Sequence, residues 1–100
     1  MAIYRNSEMT MYYPEELASE TWPCDVRIDS GTIVVSYRSD DGPVVYRGTE
    51  IEPGHFKLTA TEVVTGRATL HRFGDDESFD GRWYENGQVG MWQIDLAELA

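Results

Sequence analysis

Gly81-Arg82-Trp83-Tyr84-Glu85-Asn86-Gly87-Gln88-Val89-Gly90-Met91-Trp92-Gln93-Ile94-Asp95-Leu96 reads as a complete β-hairpin. Asn86-Gly87 suits a two-residue type I′ turn, which needs φ > 0 at both central positions and matches the twist of the flanking strands. That turn sets Glu85 opposite Gln88. Counting outward, Trp83 falls opposite Gly90, Gly81 opposite Trp92 and Phe79 opposite Ile94, all on one face, because directly opposed residues share a side. Each indole therefore faces a glycine. The other face carries Tyr84, Val89, Arg82, Met91, Asp80, Gln93, Ser78 and Asp95, so a slip of one residue would expose both tryptophans and bury charge.

Upstream of this hairpin, from Cys24 onward, short apolar-polar runs are punctuated by turn residues every eight to twelve positions, the spacing of an all-β barrel or sandwich. With Ser30-Gly31 as a two-residue turn, residues 24–29 pair with 32–38, so that Ile28 opposes Ile33, Val26 opposes Val35 and Cys24 opposes Tyr37. Residues 44–49 form the next strand, its register open because Val44 and Val45 are both apolar. Glu52-Pro53-Gly54 places Pro and Gly where a type II turn prefers them. From His55 to Glu62 the strand buries Phe56, Leu58 and Ala60. A three-residue loop Val64-Thr65-Gly66, with Gly66 left-handed, then sets Ala60 opposite Leu70 and Leu58 opposite Arg72. The alternative, a two-residue loop at Thr65-Gly66, faces His71 and Phe73 inward.

The first 13 residues are ambiguous between an irregular segment and an edge strand, while Pro14-Glu15-Glu16-Leu17-Ala18-Ser19 has the proline and early carboxylates of a short helix over 14–19. Leu17 and Trp22 would press it onto one end of the sheet. At 100 residues the chain is expected to form one domain over 1–100, with a meander over 24–96. The expected fold is all-β: an antiparallel up-and-down meander of seven or eight short strands, residues 9–13 supplying the eighth. The sheet should curl into a small barrel so that the tryptophans are not left wet.

The motifs Gly81-Arg82-Trp83 and Gly90-Met91-Trp92, with the meander and the short N-terminal helical piece, resemble the calycin-type small barrels: the lipocalin, fatty-acid-binding and avidin group. The resemblance implies a small apolar ligand inside the barrel. In that reading Tyr37, Arg72, Trp83 and Trp92 are the candidate ligand-binding residues, Arg72 pairing an anionic head group with Tyr37 as hydroxyl partner. Otherwise Arg72 is a rim residue with its head in water, or the partner of a barrel carboxylate such as Glu62 or Glu85. Four large aromatic side chains, Trp83, Trp92, Phe79 and Phe56, favour a solid interior over a large cavity.

Lys and Arg number 8 against 18 Asp and Glu, a formal charge of −10, which repels phosphate backbones and excludes direct nucleic-acid binding. Acidic residues crowd two loops, giving Asp40, Asp41, Asp75, Asp76, Glu77 and Asp80 as candidates to occupy a basic groove on a partner protein. A single cysteine, Cys24, points to the cytoplasm and to no internal disulfide. The N-terminus lacks the apolar run of a signal peptide, and no stretch reaches the ~20 apolar residues of a membrane helix, so no membrane role is expected. His55 and His71 lie on different strands without neighbours at ligand spacing, and the acidic loops lack the calcium-loop pattern, so neither metal nor cofactor is expected. No nucleophile, phosphate loop or metalloprotease motif occurs, and no catalytic residue is assigned. The expectation is a non-enzymatic binding module for a protein partner or small apolar ligand. The alternative is an acidic inhibitor or nucleic-acid mimic directed at a basic surface. The chain would be a monomer, or a homodimer through free strand edges or the Tyr84, Val89, Met91 strip.

Overall fold

The computed structural model describes residues 2–13, 18–74 and 76–97. Its regular elements are eight strands: β1 (Ala2–Tyr13), β2 (Ala18–Asp29), β3 (Thr32–Ser39), β4 (Gly42–Glu52), β5 (His55–Ala60), β6 (Gly66–His71), β7 (Ser78–Glu85) and β8 (Gln88–Asp95). Each pairs antiparallel with the next, and β8 returns to β1 with Met11 opposite Trp92, so the sheet closes into a barrel. This is an eight-stranded antiparallel up-and-down β-barrel, an architecture consistent with calycin-like barrels in general. Among the described residues no helix is long and apolar enough to cross a membrane.

The hairpins that turn at Ser30-Gly31 and Asn86-Gly87 have the expected registers. Trp83 opposes Gly90, Gly81 opposes Trp92 and Phe79 opposes Ile94, while Cys24, Val26 and Ile28 oppose Tyr37, Val35 and Ile33. Asn86 and Gly87 take φ of 53° and 79°, as a type I′ turn requires. In β4, Val44 and Tyr46 point inward, which settles the register left open by the Val44-Val45 pair.

Elsewhere the chain departs from the expected layout. The β5–β6 connection is five residues, 61–65, with Val63 at φ 64°; Gly66 lies in the strand and is not left-handed. Ala60 consequently pairs with Gly66 and Leu58 with Ala68, not with Leu70 and Arg72. The displacement is even-numbered, so Ala68 and Leu70 still face inward. Phe73 is 91% exposed, against the alternative two-residue loop. Of the helix expected over 14–19, Ala18 and Ser19 belong to β2 and the remainder lies outside the described residues, as does Leu17. Trp22 packs against the core from within β2.

β1 is a full strand rather than an edge, because a bulge rescues its pattern. Tyr4 pairs with Val26 but Ser7 pairs with Cys24, leaving Arg5 and Asn6 across from Asp25. Asn6 takes φ 55°, and its N–H is accepted by Asp25 Oδ1 at 3.0 Å. The extra residue switches inward parity from Tyr4 to Ser7, Met9 and Met11, all three buried. Ser7 Oγ donates to the Tyr4 carbonyl (3.1 Å) and accepts the Ala97 N–H (3.0 Å), tying the segment after β8 to β1.

The interior alternates large with absent side chains. A Cβ on Gly90 would overlap the Trp83 ring and the Tyr12 carbonyl; one on Gly81 or Gly48 would overlap the backbone of the adjoining strand. Trp83, Trp92, Tyr46 and Phe79 are each at most 2% exposed, and Tyr46 packs on Trp92 with ring centroids 5.3 Å apart. These rings pack into the barrel interior with the aliphatic side chains of the core.

Candidate functional site

The barrel has two rims. One carries the turns at Ser30-Gly31 and Pro53-Gly54 and the 72–77 connection; the other carries Asp40-Asp41, 61–65 and Asn86-Gly87. Tyr37 lies toward the Asn86 rim, whereas Arg72 follows the end of β6 at the Ser30 rim, so the anion-binding pair expected from the sequence is not brought together. Arg72 is instead engaged locally. Its backbone N–H donates to Gly54 O and its Nε to Asp76 O, both at 2.7 Å, and its guanidinium lies 5.5 Å from the Phe79 ring centre. Trp83 and Trp92 are core residues whose indole N–H groups donate to the carbonyls of Met91 and Thr69, each at 3.0 Å.

Glu85, the last residue of β7, is on the inward parity with Trp83 and Gly81. Its carboxyl faces the hydroxyls of Tyr37 and Tyr46, while Gly66 across the ladder keeps the space open: a Cβ there would come within 2.5 Å of Tyr46 Oη. Burial pushes the Glu85 carboxyl above the usual carboxylate range, and the two hydroxyls pull it part of the way back. Burial first, and the Glu85 charge second, push both phenols up. Tyr46 Oη is buried and closes no hydrogen bond of ordinary geometry. The sequence reading named Glu85 only as a partner for Arg72; the barrel places the two at opposite rims.

The acidic candidates are likewise divided. Asp40 and Asp41 form the turn at the Asn86 rim, Asp76 and Glu77 lie at the Ser30 rim, Asp80 sits on the outer face of β7 opposite His71, and Asp75 lies outside the described residues. Among the described residues, these carboxylates are thus divided between the two rims and the outer face of β7.

The outer wall of β4 to β8 concentrates a different chemistry. Arg47, Thr59, Arg67, Tyr84 and Val89 follow one another across the ladders, each the direct partner of the next. One step along, Lys57 pairs with Thr69, whose hydroxyl accepts the Arg82 N–H at 3.3 Å, and Arg82 pairs with Met91, itself the partner of Tyr12. Four of the chain's eight Lys and Arg residues are therefore gathered on this wall. Tyr84 is the aromatic floor under two of them, the Arg67 and Arg82 guanidinium carbons lying 4.8 and 5.8 Å from its ring centre. Lys57, Thr59, Arg67, Thr69, Arg82 and Tyr84 line a shallow groove of ≈ 520 Å³. Beside it Tyr12, Tyr84, Val89 and Met91 are 44%, 40%, 38% and 53% exposed. The apolar part of this surface was legible from the face of the final hairpin; the basic part was not, because its members are scattered along the sequence until the registers align them.

Set against known proteins, the chain matches no protein-family model and no curated protein.

Proposed function

We propose that this protein is a non-enzymatic β-barrel binding module that takes a protein partner on the outer wall of β5 to β8, through an acidic segment bearing an apolar side chain. The observation that carries the reading is the gathering of Lys57, Arg67 and Arg82 with Tyr84 along one groove, Arg67 and Arg82 over the Tyr84 ring, on a chain whose net charge is −10. Cations dispersed at random on such a chain would be diluted among carboxylates; here they border a groove and an exposed apolar strip. Carboxylates of the partner would pair with the guanidinium groups, and its apolar side chain would cover Met91 and Val89. The calycin-type alternative, an apolar ligand held inside, competes for volume already filled by Trp83, Trp92, Tyr46 and Phe79. The setting proposed is cytoplasmic, on the strength of the single buried Cys24.

Fluorescence anisotropy with labelled peptides tests the reading. An Asp/Glu-rich peptide carrying a central Leu or Phe should bind, a Lys/Arg-rich peptide of equal length should not, and affinity should fall as salt rises. Reversing Arg67 and Arg82 to Glu should abolish binding, while reversing Arg27 and Arg38 on β2 and β3 should leave it intact. Equal affinity for both peptides, or indifference to the Arg67/Arg82 reversal, overturns the assignment.

A further inference from the structure

The five-residue β5–β6 connection has a chemical consequence at the Ser30 rim. It makes His55, the first residue of β5, the direct cross-strand partner of His71, the last residue of β6. Both belong to the outward parity and both are exposed. Opposed residues on one face stand side by side, and here the rings meet: Nδ1 of His55 and Nδ1 of His71 are 3.0 Å apart, with ring centroids at 4.5 Å and planes at 78°. For two imidazoles in this contact, one nitrogen carries the proton and the other offers its lone pair. Moving that proton to the far Nε2 of its own ring leaves two bare nitrogens at the same place.

We propose that His55 and His71 form a two-imidazole site for a divalent transition metal of tetragonal preference, Cu(II) foremost and Ni(II) after it. The argument is geometric. Imidazole nitrogen binds such metals at about 2.0–2.1 Å, so two nitrogens 3.0 Å apart subtend roughly 90–97° at the ion. That is the angle between adjacent positions of a square-planar or tetragonal complex, whereas a tetrahedral ion would ask for about 3.3–3.4 Å. Cu(II) also heads the affinity order for nitrogen sites. Among the described residues no third His, Cys, Asp or Glu converges on the pair, so water fills the remaining positions. The same row of the outer wall places Glu52 beside His55 and Asp80 beside His71 as their ladder partners on the other side, and the net charge of −10 favours a cation approaching there.

The site is tested by titrating the whole chain with CuCl₂ in a non-chelating buffer, following heat and X-band electron paramagnetic resonance. One Cu(II) per chain is expected, with an axial spectrum carrying splitting from two nitrogens; Ni(II) should compete for the same site and Zn(II) should compete less well. His55→Gln and His71→Gln should each weaken binding roughly tenfold or more and remove the two-nitrogen pattern. Since both side chains are exposed, the metal-free variants should melt as the parent does, which separates a lost ligand from a lost fold. Copper bound with parental affinity by both variants, or no saturable binding below about 0.1 mM, overturns the proposal.

Discussion

Trp92 on β8 reaches across β7 and donates its indole N–H to the carbonyl of Thr69 on β6, at 3.0 Å. It passes over Gly81, where any Cβ would overlap that same carbonyl. The β6–β7 ladder is interrupted here: direct pairing runs from Gly66 to Ala68 and resumes at His71. Thr69 supplies both substitutes, its carbonyl accepting the indole and its hydroxyl accepting the Arg82 N–H at 3.3 Å. A side chain from a third strand thus completes a broken rung.

Trp92→Phe should therefore remove more than apolar contact, because it leaves the Thr69 carbonyl buried without its donor. A loss of about 2–4 kcal/mol is expected from the vacated volume and the unpaired acceptor together. Thr69→Val, which removes only the hydroxyl, should cost about 1–2 kcal/mol. Urea unfolding monitored by far-ultraviolet circular dichroism measures both. A parental midpoint for Trp92→Phe would show that the indole N–H holds nothing.

Gly90→Ala should destabilise by about 1–3 kcal/mol, since the added carbon meets the Trp83 ring and the Tyr12 carbonyl and neither can retreat from a packed interior. Gly74→Ala is the comparison. Gly74, by contrast, has nothing within 4 Å of a built Cβ, and its left-handed φ of 59° is the sole penalty, about 1 kcal/mol. Thermal melts should rank the two in that order.

Glu85 gives a pH signature of definite sign. Its folded pKa is raised above the ordinary value, chiefly by burial, so the folded state holds its proton more tightly than the unfolded state does. The contribution of this group to stability is full below the unfolded carboxylate pKa and is lost as pH rises through the folded value. Glu85→Gln should accordingly raise Tm at pH 8, and its advantage over the parent should shrink as pH falls toward 4.5. An advantage that grows on acidification would place the carboxylate in a favourable charged state instead.

Burial, with a smaller push from the Asp25 charge, raises the Cys24 thiol to about 12. Thiolate is the reactive form, so Ellman's reagent at pH 8 should label the folded chain only at the rate at which it opens, and urea should release prompt reaction. The stability tied to this thiol is complete below the ordinary value of 9.0 and declines as pH climbs toward 12. Prompt labelling of native protein would contradict the buried position.

Two hairpins were readable residue by residue because Asn86-Gly87 and Ser30-Gly31 leave no freedom in the count between strands. The β5–β6 register was not, since its turn places Val63, a β-branched residue, in a conformation usually signalled by glycine, while Gly66 attracts that role without taking it. The same miscount hid the His55–His71 contact. β1 was obscured by its bulge at Asn6, which reverses the alternation on which strand recognition depends. Of the surfaces, the exposed Tyr84, Val89 and Met91 followed from local parity alone. The basic wall needed four strands in register before Arg47, Lys57, Arg67 and Arg82 became neighbours, and the Glu85 cluster needed three.

The seam between β1 and β8 joins the earliest described strand to the latest, so its ladder carries the largest loop-closure entropy of any in the barrel. Local hairpins can form before that entropy is met, which orders assembly in time: hairpins as nuclei, the seam as the final zipper. Met11→Ala at the seam should then hasten unfolding while leaving the refolding rate nearly unchanged, whereas Val35→Ala in the β2–β3 hairpin should slow refolding; stopped-flow fluorescence of the tryptophans distinguishes the two.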